Sequence, residues 1–138
     1  MADQIRDHVR RARRDPSREH LRELWRAVFL LKAWYFVPAR REEGPNRPMV
    51  VELDGEPWLP AFTNIRRYRD VAEDIGRTRG DELHYLALSP REAMEQIDRY
   101  SNLLEGVIFN LRTDVVFRGP TAALVQCADQ FDVWSAPH

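Results

Sequence analysis

Apolar positions along this chain follow two rhythms, one of three to four residues and one of two. Ile5, Val9 and Ala12 recur at helical spacing, and Leu21, Leu24, Trp25, Val28 and Leu31 form a second apolar stripe behind Asp15-Pro16. That Asp-Pro pair reads as an N-cap followed by proline at the first helical position. Residues 33–37, AWYFV, are aromatic and β-prone, and Pro38 ends the strand they predict. Alternation puts Trp34 and Phe36 on one face and Tyr35 and Val37 on the other, so a sheet built from this strand needs cover on both sides or leaves one face as an exposed patch awaiting a partner. Residues 40–48 carry two prolines and a glycine and read as a polar loop.

The centre of the chain predicts a hairpin. Val50, Val51 and Leu53 precede Asp54-Gly55, and Trp58, Leu59, Ala61 and Phe62 follow it. Such a turn needs positive φ, which glycine takes without steric cost. Glu56 can lengthen it into a three-residue loop with a bulge. Pro57 and Pro60 cannot donate to a ladder, so the second strand is expected at an edge or with gaps in its pairing. Thr63 or Asn64 caps the next helix, with Ile65, Tyr68, Ala72 and Ile75 inward and Arg66, Arg67 and Arg69 outward, and Gly76 stops it.

Beyond a loop at 77–82, residues 83–88 predict a buried strand. Ser89-Pro90-Arg91-Glu92 is a capping box opening a helix with Ala93, Met94, Ile97 and Tyr100 on one face. Residues 107–111 and 115–117 predict two more strands. Gly119-Pro120-Thr121 opens a last helix carrying Leu124, Val125, Ala128 and Phe131 inward. A hairpin excludes a purely parallel sheet. The expected class is α+β: a mixed, mostly antiparallel sheet of about five strands with helices packed on it, N-terminal helices and a central β-hairpin.

The run DGEPWLPAFTNIRRY, residues 54–68, resembles the central motif of the SseB protein N-terminal domain family, named for a bacterial protein linked to enhanced serine sensitivity. Residues 24–38 resemble the segment that precedes that motif, and GVIFN, residues 106–110, resembles a later strand that an Asn often ends. Where the family usually has Pro-Gly after that Asn, this chain has Leu111-Arg112. The likeness spans roughly residues 20–130. It implies a fold and an order of elements; the family has no well-defined reaction to carry over.

Length and charge narrow the picture. A chain of 138 residues is expected to form one domain over 1–138, with residues 1–15 a basic helix that can sit at its periphery. Cys127, the single cysteine, cannot close an internal disulfide, which fits a reducing compartment. The longest apolar stretch, residues 27–38, is broken by Lys32 and falls short of the ~20 residues that span a bilayer. Residues 1–15 hold no apolar leader run. The expectation is a cytoplasmic protein with no membrane contact. Of the 21 basic residues all but Lys32 are arginine, which fits a GC-rich coding genome. Residues 1–41 hold eleven basic against five acidic side chains, and the remainder ten against seventeen. These opposite charges can pair within one copy or between copies.

Chemistry-bearing motifs are few. Glu19, His20 and Glu23 share a helical turn but are flanked by Arg18 and Arg22, and read as a solvated, charge-paired face. His84 reads as a structural or outward residue, and Cys127 as a small core hydrophobe. No metal, cofactor or catalytic residue set is expected. The aromatic residues leave a question, since tryptophan serves both cores and binding hot spots. The first reading is a non-enzymatic protein-interaction module, adaptor- or chaperone-like, that docks a protein partner on the proline-interrupted strand through Trp58, Pro60 and Phe62, with Trp34 nearby. A nucleic acid held by Arg10, Arg13 and Arg14 is the second reading, against which Asp3, Asp7, Asp15 and a pI near 6.4 count. An enzyme of amino-acid metabolism has no residue set behind it.

Overall fold

Asp54 and Gly55 take φ values of 54° and 81°, the left-handed pair that a two-residue hairpin turn requires. Leu53 pairs directly with Glu56 across it, so there is no third loop residue and no bulge. The computed structural model describes residues 4–39, 48–74, 78–79 and 82–133. The expected Ile75, the Gly76 stop, most of the 40–48 loop, Trp134 and His138 lie outside them.

In chain order come α1 (Gln4–Arg14), α2 (Arg18–Phe29), β1 (Trp34–Phe36), β2 (Val51–Leu53), β3 (Glu56–Phe62), α3 (Ile65–Asp74), β4 (Thr78–Arg79), β5 (Glu82–Leu83), β6 (Leu86–Leu88), α4 (Pro90–Arg99), β7 (Gly106–Phe109), β8 (Phe117–Pro120) and α5 (Thr121–Gln130). The main sheet runs β6-β1-β3-β7-β8, with β2 also on β3. All its pairings are antiparallel except β3 with β7. The expected α+β class holds, with six strands in the sheet and helices packed on it. Where a loop was expected at 77–82, β4 and β5 pair as a small separate ribbon.

The second hairpin strand, expected at an edge or with gaps in its pairing, is the central one, and it carries such a gap. β3 has β7 along one side and β2 then β1 along the other. Its prolines are accommodated by alternation. The carbonyls of Pro57 and Ala61 accept from Glu105 and Asn110 N–H, each at 2.8 Å, so odd-numbered residues direct their backbone polar groups toward β7. Pro57 precedes the first β7 pair, Trp58 with Gly106. Pro60 points the other way, into the interval between Trp58, the last residue facing β2, and Ala61, the first facing β1. Neither missing N–H has an acceptor waiting for it, which is how a central strand tolerates two prolines.

Both faces of the sheet are covered. Trp34, Phe36, Leu59, Ala61, Val107 and Phe109 join α1, α2, α4 and α5 in the main core. Val37 and Phe62 pack with Tyr68, Val71 and Ala72 of α3 in a second cluster, with Tyr35 against it. α1 contributes Ile5 and Val9 to the main core, so it is packed in rather than peripheral.

Several local expectations shift. The α2 cap is Ser17, whose side chain accepts from His20 N–H at 3.1 Å, rather than Asp15. Leu21 is exposed, not inward. Asn64 caps α3 through Arg67 N–H at 2.8 Å. The strand expected at 115–117 forms at 117–120. The Ser89–Glu92 capping box is formed in both directions, at 3.1 and 2.9 Å. Ser89→Ala is expected to lower stability by about 1 kcal/mol, read as a shifted urea midpoint with an unchanged slope.

Candidate functional site

The residues first suspected of docking a partner are interior. Trp58 is 5% exposed and Phe62 1%, Pro60 is buried between them, and Trp34 is fully enclosed. Trp34 is bound into the core: its Nε1–H donates to the Val28 carbonyl at 2.9 Å and its ring meets Phe29 and Phe109 edge-on. Trp58 lies under the Arg118 guanidinium, 5.2 Å from the ring centroid, and Arg118 also reaches Asp54 at 3.5 Å. β3 therefore offers no free edge between residues 58 and 62.

The arginines of α1 divide into used and unused. Arg13 donates to the carbonyls of Asp114 and Val116 at 2.7 and 2.6 Å, and Arg6 reaches the Asp114 carboxylate at 3.4 Å. Together they clamp α1 to the β7–β8 connection, joining the basic N-terminal region to the acidic remainder within one copy. Arg11 pairs with Glu23 on α2 at 3.3 Å. Arg10 and Arg14 have no ion pair or side-chain hydrogen bond among the described residues.

At the C-terminal ends of the parallel strands β3 and β7 lies a buried polar knot. Asn110, fully buried at φ 58°, accepts the Thr63 N–H at 3.0 Å and donates from Nδ2 to Thr63 Oγ1 at 3.2 Å. Arg67, expected outward, is 8% exposed and donates to Thr63 Oγ1 at 3.3 Å. Burial lowers its pKa from the ordinary guanidinium value, and the nearby Asp114 charge opposes that. These groups satisfy one another, so the knot ties the hairpin to α3 and the β7–β8 connection.

A different surface is open, along α2. One cavity of about 680 Å³ lies where the C-terminal end of α2, the start of α4 and the end of α5 meet. Phe29, Leu31, Phe131 and Val133 supply apolar walls, while Arg22, Arg26 and Lys32 line it with positive charge and Arg91 lines it paired to Glu95 at 3.5 Å. A second, of about 700 Å³, continues along the α2–α5 seam, lined by Arg18, Leu21, Trp25 and Cys127. Arg22 borders both. Arg18, Arg22 and Arg26 stand four residues apart, one stripe on one helix face. None of the three, nor Lys32, has an ionic partner among the described residues, whereas Glu23 is turned toward Arg11. Leu30 and Leu21, 74% and 41% exposed, are large apolar side chains in these two cavities.

That surface was hidden by assigning Leu21 to the core. The available signal was the Arg18/Arg22/Arg26 spacing. Glu19, His20 and Glu23 do not converge: His20 Nδ1 lies 2.8 Å from the Asp15 carbonyl oxygen. Among the described residues no three metal-ligating side chains come together. Cys127 is half-buried rather than enclosed, and burial raises its thiol pKa above the ordinary value, which keeps it protonated and a poor nucleophile. No helix among the described residues is long and apolar enough to cross a membrane. No protein-family model matches the chain, and no curated protein does either.

Proposed function

We propose that this chain is a non-enzymatic protein-interaction module of the cytoplasm, related to the SseB N-terminal domains, and that it docks a partner on the cleft between α2, α4 and α5. The carrying observation is that cleft: Arg22, Arg26 and Lys32, without ionic partners among the described residues, and exposed Leu30 stand around apolar walls, beside an Arg91 that pairs with Glu95 at 3.5 Å. Exposed apolar side chains gathered into a concave surface mark docking sites more often than isolated ones do. The relationship rests on the order of elements, with the Asp-Gly hairpin, the Pro-Ala-Phe-Thr run into a helix, and the later strand closed by Asn110.

A photo-crosslinking benzophenone side chain at position 30 tests this in host lysate. The expected result is a discrete protein adduct that disappears when Arg22→Glu and Arg26→Glu are added, while the same group at Leu103, also exposed, gives no such adduct. Identical adducts from positions 30 and 103, or adducts indifferent to the two arginines, would sink the proposal.

A further inference from the structure

We infer that the partner segment is an acidic amphipathic α-helix lying along α2, an inference that rests on the proposed docking reading. The two cavities follow one another along α2, with Arg22 bordering both, and together they mark the surface called the trough. Arg18 and Arg26 are eight residues apart on a helix, about 12 Å at 1.5 Å per residue. A partner helix matches that stripe with acids one turn apart and sets its apolar face toward Leu30 and the apolar walls of the first cavity.

Charge complementarity selects this occupant. The unpaired cations form a line rather than a cluster, and exposed leucines accompany them at both ends of the trough. A phosphate backbone would match the line but leave the leucines without a counterpart. An extended acidic peptide would match the charge, yet it lacks the one-turn periodicity that brings acid and apolar groups to one strip together.

The test uses the full chain and a fluorescein-labelled 18-residue peptide with leucine at helical spacing flanked by glutamate. Two controls keep the leucine pattern, one flanked by lysine and one broken by a central proline. The acidic helix is expected to bind, and anisotropy should show affinity falling by about tenfold or more in the Arg22→Glu/Arg26→Glu variant. Leu30→Gln should weaken it with the fold intact by circular dichroism, and added salt should weaken it further. Equal binding of the lysine-flanked or proline-broken peptide would overturn the inference. So would tighter binding of single-stranded RNA or of phosphatidylglycerol vesicles at the same arginines. Concentration-dependent self-association lost in the double variant would make a second copy the occupant, and would overturn it equally. A silent peptide alongside a persistent, arginine-dependent adduct at position 30 retires the helix alone; loss of that arginine dependence retires the docking reading itself.

Discussion

Trp34→Ala is expected to cost about 4 kcal/mol, within the range for emptying a large aromatic site and a major share of what a domain this size has to lose. Trp34 sits on β1, between β3 and β6, with its ring in the main core and no exposure to solvent. Phe29 and Phe109 meet it at centroid distances of 5.3 and 5.1 Å, one from α2 and one from β7. Its removal therefore opens a void between a helix and the sheet, where neither side can collapse independently. The Nε1–H bond to Val28 adds a polar tie to the last turn of α2. Trp34→Phe separates the two contributions. It keeps most of the apolar contact, and the Val28 carbonyl retains the 3.4 Å bond from Leu31 N–H, so a loss of about 1–2 kcal/mol is expected. Urea unfolding followed by far-ultraviolet circular dichroism measures both. A loss under 2 kcal/mol for the alanine variant would mean that the site repacks.

How much of this was legible depended on the range over which each feature is decided. The Asp54-Gly55 turn and the Ser89–Glu92 box are written within four residues, and both form as read. The two-faced strand at 34–37 was legible because alternation alone separates Trp34 from Tyr35. The position of β3 was not. Proline signals where an N–H is missing, but only the assembled sheet shows that β2 stops at Trp58 and β1 begins at Ala61, leaving Pro60 opposite an interval. Arg67 misled for the same reason. Helical spacing relative to Ile65 and Tyr68 places it outward, yet it turns back to Thr63, four residues earlier, which Asn110 at the end of β7 holds in place. Leu21 shows the reverse: it continues an apolar stripe whose core ends at Leu24, so its exposure is decided by how far α5 extends beside α2. The candidate site inherited that error. A stripe of arginines looks solvated until the apolar side chain beside it is found to be solvated too.

Asn110→Ala is expected to cost about 3 kcal/mol, although the side chain is small and makes no charge pair. Two independent penalties combine. Asn110 has φ 58°, a left-handed conformation that an ordinary L-residue adopts at about 1–2 kcal/mol. Its Oδ1 accepts the Thr63 N–H at a position with 4% exposure, and an N–H left unsatisfied there costs about 1–3 kcal/mol. Asn110→Gly relieves the first penalty and keeps the second, so it should recover about half the loss. Equal losses for alanine and glycine would place the whole cost in the hydrogen bonds; a harmless glycine variant would place it in the backbone. The consequence reaches beyond stability, because Thr113 N–H and Oγ1 both donate to the Asn110 carbonyl, at 3.1 and 2.6 Å, and so shape the loop that presents Asp114 to Arg6 and Arg13. Loosening Asn110 should therefore release the clamp on α1 before it unfolds the sheet, seen as faster hydrogen exchange in α1 than in β3 and β7. α1 packs against α2 on the side of Glu23, away from the arginine trough. If peptide affinity at the trough falls along with that release, α1 holds α2 in its binding position; if affinity is unchanged, the trough is built by α2, α4 and α5 alone.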